Sequence, residues 1–168
     1  LKGYSMTARK YFLTNFNQYA CEGDTLTAQH EGFTLTATIY RDEDATKPDE
    51  RQDGFWPSLD PKDAGFIGEG KTQSDLRFAY AAAETVMNEW KADNWFYVGV
   101  AVTVSRADIQ LTGKYGNALW GIECNYPRCS ETMLALRNSY LGDVADELAE
   151  ETLTKARAKL SELCKGDA

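Results

Sequence analysis

Residues 65–72 read Gly-Phe-Ile-Gly-Glu-Gly-Lys-Thr, with four residues between Gly65 and Gly70 and then Lys71 and Thr72. This is the spacing of a phosphate-binding loop. Backbone amides there cradle phosphates, the lysine reaches the terminal ones, and the threonine hydroxyl holds magnesium. A second group is acidic: Asp42, Glu43, Asp44, Asp49, Glu50 and Asp53 lie close together, and Asp143, Asp146, Glu147 and Glu150 recur at helical intervals. Carboxylates gathered on one surface attract a basic partner and repel acidic ones. Trp56, just beyond the first acidic run, is a candidate anchor for such a partner.

Other chemistries are poorly provided for. His30 is the single histidine, so a Ser-His-acid or Cys-His arrangement has one base to draw on and no nucleophile elbow around it. Cys21, Cys124, Cys129 and Cys164 are widely spread, and four thiolates would have to converge from distant segments to form a zinc site. The acids of 42–63 miss the alternating pattern of a calcium loop. No metal, no cofactor and no catalytic residue is therefore expected, and the thiols read as packed or idle in a reducing, cytoplasmic setting.

The net charge of −8 disfavours direct nucleic-acid binding, since phosphate neutralisation needs clustered Lys and Arg. No run of apolar residues approaches a membrane span. The chain of 168 residues suits one domain. Residues 1–5, Leu-Lys-Gly-Tyr-Ser, precede Met6 and read as an appendage; 6–168 is then a single α+β domain with a long irregular loop at 42–70.

The elements that position these groups follow from periodicity. In 95–104, Phe96, Val98, Val100, Val102 and Val104 alternate with Tyr97, Gly99, Ala101 and Thr103, a strand that is apolar on both faces. Thr25–His30 and Phe33–Arg41 flank Glu31-Gly32 and predict a hairpin whose second arm buries Phe33, Leu35, Ala37 and Ile39. Segments 108–112 and 118–124 complete a meander. The spacing of Phe12, Leu13, Phe16, Tyr19 and Ala20 predicts a helix over 7–20. Leu76, Ala79, Tyr80, Ala83, Val86, Met87 and Trp90 predict one over 73–91, capped by Thr72 and Asp75. A turn of helix is expected within 130–137. A long helix runs from a cap at Ser139 to Cys164, burying Leu141, Val144, Leu148, Leu153, Ala156, Leu160 and Leu163. The fold class expected is α+β, an antiparallel sheet of about five strands with two or three helices packed on it.

Three motifs carry a resemblance: Asn94-Trp95-Phe96-Tyr97-x-Gly99-Val100, Leu119-Trp120-Gly121-Ile122-Glu123-x-Asn125, and Ser139-Tyr140-Leu141-x-x-Val144-Ala145-x-Glu147-Leu148. In this order they resemble a broad set of small, uncharacterised phage and mobile-element proteins, over the C-terminal half of the chain. The resemblance implies an accessory protein with no assigned reaction. Such proteins include inhibitors of host defence that mask basic, nucleic-acid-binding surfaces.

The leading expectation is thus a phage-type acidic interaction protein. Its partner would be a basic protein or nucleic-acid-binding host complex, engaged by charge mimicry in the host cytoplasm. Two alternatives stand beside it: a small nucleotide-binding enzyme or switch using Gly65, Gly70, Lys71 and Thr72, and a structural homo-oligomer.

Overall fold

The computed structural model describes residues 8–127 and 137–165. The chain divides into two compact units, Leu1–Asp42 with Tyr97–Ala168, and Glu43–Phe96. The second is inserted between two neighbouring strands of the first, and the irregular stretch foreseen at 42–70 falls almost wholly within it.

The first unit holds the sheet. Strands β1 (Thr25–His30) and β2 (Phe33–Arg41) form the expected hairpin, with His30 opposite Phe33. The two residues between them, Glu31 and Gly32, both have positive φ (51° and 78°), the two-residue turn whose twist matches that of the strands. Strand β3 (Phe96–Arg106) runs antiparallel to β2, pairing Arg41 with Val98 through to Thr34 with Ser105. A second turn of the same kind, Ala107 and Asp108 at φ 48° and 63°, leads into the short β4 (Ile109–Gln110). Strand β5 (Ala118–Cys124) also pairs with β3 and completes the five-stranded sheet.

The expected alternation holds. Phe33, Leu35, Ala37 and Ile39 of β2 and Val98, Val100, Val102 and Val104 of β3 are buried. On the opposite face of β2, Thr34, Thr36, Thr38 and Tyr40 are half-buried. Helix α2 (Ser139–Lys165) lies against β5. Asn117 Nδ2 donates to the Leu148 carbonyl (2.8 Å) and to Thr152 Oγ1 (2.9 Å), and Arg157 reaches Glu31 at the β1–β2 turn (2.7 Å). Leu141, Val144, Leu153 and Ala156 are buried as expected. Leu148 and Leu160 are half-buried, and Leu163 is 50% exposed, so the apolar stripe outlasts the surface it packs on. Ser139 is the first helical residue; the position before it is Asn138, in the left-handed region at φ 46°. The turn of helix expected within 130–137 lies outside the described residues, apart from its last position.

The predicted helix at 7–20 does not form: residues 8–20 contain neither helix nor strand. Tyr11, Phe12, Phe16 and Ala20 are nevertheless buried. An irregular strap satisfies the same spacing of inward side chains because its peptide groups find partners elsewhere in the chain.

The second unit contains helix α1 (Gln73–Lys91), with the predicted capping box at its start. Asp75 N donates to Thr72 Oγ1 (3.3 Å), and Thr72 N donates to the Asp75 carboxylate (2.8 Å). The stripe is less covered than expected. Met87 alone is fully buried; Leu76, Ala79, Ala83, Val86 and Trp90 are half-buried, and Tyr80 is exposed. Trp95 is buried, its indole N–H donating to the Val86 carbonyl (2.9 Å). Among the described residues, no helix is long and apolar enough to cross a membrane.

Candidate functional site

The two acidic groups fare differently. On α2, Asp143 pairs with Arg9 (2.6 Å), whose guanidinium also donates to the carbonyls of Ser139 and Thr14. Asp146 accepts three strap amides: Tyr11 N (2.7 Å) and Phe12 N (2.8 Å) on one oxygen and Lys10 N (2.9 Å) on the other. Glu150 accepts from Lys10 Nζ (2.9 Å) and from the Tyr11 hydroxyl. These bonds, the Tyr11 hydroxyl first and Lys10 second, hold the Glu150 carboxyl below its ordinary range. Lys10 is raised in turn, chiefly by its hydrogen bonds to Tyr11 and Glu150, and Tyr11 is raised by burial and by Glu150. Three of the four α2 acids proposed as partner contacts thus fasten the strap. Glu147, the fourth, is exposed.

The 42–53 acids mostly face water. Asp42 is half-buried and accepts the Gly121 amide (2.9 Å). Glu43, Asp44, Asp49, Glu50 and Asp53 are exposed, with surface pairs Lys47–Glu50 (3.0 Å) and Arg51–Asp53 (3.3 Å). Exposed pairs of this kind are screened by solvent, contribute little and yield readily to a better partner. A single 3-10 turn, Pro48–Glu50, presents Asp49 and Glu50 side by side. The 43–96 unit carries twelve acidic against six basic residues, so most of the net charge of −8 resides there. Trp56 is half-buried, stacked on Tyr80 (ring centroids 4.9 Å apart) with Phe55 edge-on (5.1 Å). It braces the unit more than it projects from it.

The hydrogen bonds of the phosphate-loop segment are made locally. No strand leads directly into it; residues 58 and 66 form an isolated bridge, with Ser58 N donating to Gly65 O and Ile67 N to Ser58 O. Phe66 N is taken by the Asp63 carbonyl (3.0 Å). Gly65 is required by close approach: a β-carbon there would stand 1.9 Å from the Trp56 carbonyl oxygen. Gly70 has φ 72°. The Thr72 hydroxyl and amide are both spent on Asp75, whose carboxyl is lowered by those same bonds, the backbone one first. Lys71 lines a shallow cleft with Ile67, Ser74, Asp75, Phe78 and Ala79. A carboxylate therefore stands at the helix start where phosphate would bind, and it repels that ligand.

Among the described residues, no three His, Cys, Asp or Glu side chains converge to hold a metal. Cys21, Cys124 and Cys164 are free thiols; Cys129 lies outside the described residues. Burial pushes the Cys124 thiol up to about 12, which suppresses its thiolate. His30 meets Tyr11 edge-on (5.0 Å) and sits 3.7 Å from Glu31.

Sequence reasoning missed the polar pair Asn125 and Asn138, 2% and 1% exposed. Asn138 Oδ1 accepts Asn125 N (2.9 Å), and Asn138 Nδ2 donates to Asn125 Oδ1 (2.8 Å) and to the carbonyls of Asn17 and Gln18. Asn125 takes both backbone groups of Ala20, at 2.8 Å each. Both asparagines have positive φ, which this residue type tolerates best after glycine. The available signal was a polar residue immediately beyond a strand and another immediately before a helix.

No protein-family model matches the chain, and neither a curated protein nor a solved structure matches it significantly.

Proposed function

We propose that the protein is a non-enzymatic, acidic interaction protein that docks on a basic partner through the exposed carboxylates of its 43–96 unit. The observation that supports this is the uneven charge: twelve acids against six bases in that unit, with Glu43, Asp44, Asp49, Glu50 and Asp53 exposed. Such a concentration raises association rates with a basic surface and rejects acidic competitors. The α2 acids Asp143, Asp146 and Glu150 are left out of the docking surface because they hold the strap. In finer terms the reading is of a phage-type inhibitor that masks the nucleic-acid-binding surface of a host defence complex, presenting carboxylates where phosphates would lie.

Competition tests this. Proteins captured from a bacterial lysate on the immobilised chain should include a basic nucleic-acid-binding protein, and duplex DNA should displace it. Captured proteins that DNA leaves in place would count against masking of a nucleic-acid site.

A further inference from the structure

The sheet face that bears Tyr40 and Gly99 carries an arrangement that acidic docking does not use. Trp120 of β5 lies over Gly99 of β3, and a β-carbon on Gly99 would stand 2.3–2.6 Å from three of its ring carbons. The glycine lets the indole rest on the strand backbone. The side chain remains 44% exposed, and Tyr115 beside it is 52% exposed (ring centroids 6.0 Å apart). Tyr40, opposite Gly99 on β2, meets Tyr115 edge-on at 5.0 Å. Lys114 Nζ sits 4.8 and 4.9 Å from the two tyrosine ring centres.

Farther along the same face the register lines up uncharged hydrogen-bonding side chains. Thr27, Thr36 and Thr103 form one row across three strands, and Gln29, Thr34 and Ser105 form the next. Thr27 and Gln29 are exposed and the other four half-buried. Hydroxyls and amides both donate and accept, and repeat here about 4.8 Å apart between strands and about 6.8 Å along them.

We propose that this face binds a neutral oligosaccharide, one sugar ring stacked on Trp120 and its neighbours hydrogen-bonded along the threonine rows. The C–H face of a pyranose suits an exposed indole, and its hydroxyls suit partners that both donate and accept. The rows hold no charge and, among the described residues, Lys114 is the cation on the platform, so a phosphate-bearing ligand finds too little to neutralise it. Lys114 already occupies the faces of Tyr40 and Tyr115 that an incoming cationic side chain would seek.

The test is calorimetric titration of the full chain with cellohexaose, maltohexaose and chitohexaose, three neutral hexasaccharides of different linkage, and with a ten-residue oligothymidylate. At least one hexasaccharide should bind saturably, and the oligothymidylate should not. Trp120→Ala should weaken that binding by roughly tenfold or more. The variant Thr36→Val/Thr103→Val keeps the indole and removes two hydroxyls; it should weaken binding severalfold even if Trp120→Ala fails to fold. No binding by any of the three sugars, sugar binding unaffected by both variants, or binding of the oligothymidylate alone would overturn the proposal.

Discussion

Gly99 and Trp120 form one structural unit: the indole occupies the space that a side chain at position 99 would need. Substituting Gly99→Ala forces the ring off the strand, an overpacking change that costs about 1–3 kcal/mol. The cost should largely vanish in the Gly99→Ala/Trp120→Ala double variant, because the two positions share the same space. Urea denaturation of the four proteins in that cycle measures the coupling; additive losses would mean the ring does not rest on the glycine.

The Asn125–Asn138 pair predicts a second effect. Asn138→Ala strands the buried amide of Asn125, a group whose unsatisfied burial costs about 1–3 kcal/mol, and it removes the bonds to the carbonyls of the exposed Asn17 and Gln18. A loss of about 1–3 kcal/mol is expected in denaturant, with earlier proteolysis in 8–24. Asn138→Gly keeps the left-handed backbone but not the bonds, so it should be nearly as damaging. A benign glycine variant would assign the effect to backbone conformation instead.

The strap makes stability depend on pH at both ends of the scale. Glu150 lies below its ordinary range in the folded protein. Its contribution is therefore present above the unfolded value of about 4.3 and is lost as pH falls through the folded value. Lys10 and Tyr11 are raised, so theirs is present below the unfolded values of about 10 and is lost as pH rises through the folded ones. Wild type and Glu150→Gln should differ in denaturation midpoint at neutral pH and converge in acid. A gap that widens on acidification would reverse the assignment.

Thr72 caps α1 through Asp75. Thr72→Ala should cost about 1 kcal/mol through lost capping, without altering any response to nucleotide. ATP with magnesium should leave the melting temperature of wild type and variant unchanged; a clear rise in wild type that Thr72→Ala abolishes would restore the phosphate-loop reading.

Most of the fold was legible in the sequence because its elements carry local signals. Strict alternation and Glu31-Gly32 specify the β1–β2 hairpin, and Thr72 with Asp75 fixes the start of α1. The strap was not legible. Phe12, Phe16 and Ala20 fall four residues apart, as on a helix, while the groups that satisfy their backbone, Asp146, Asn125 and Asn138, lie more than a hundred residues away. For the same reason the ties of the α2 acids were hidden: nothing local to Asp143 announces Arg9. The acidic run at 42–53 was visible, since counting acids needs no coordinates, whereas the bounds of the 43–96 unit needed them.

Docking on a basic partner rests on that unit's carboxylates, and charge reversal tests it most directly. A variant carrying Asp49→Lys, Glu50→Lys and Asp53→Lys should melt near wild type, since all three side chains are exposed. Its capture of basic proteins from lysate should fall at least tenfold, and what wild type captures should elute as ionic strength rises. Equal capture by both proteins, or capture by wild type that salt does not weaken, would contradict docking through these residues.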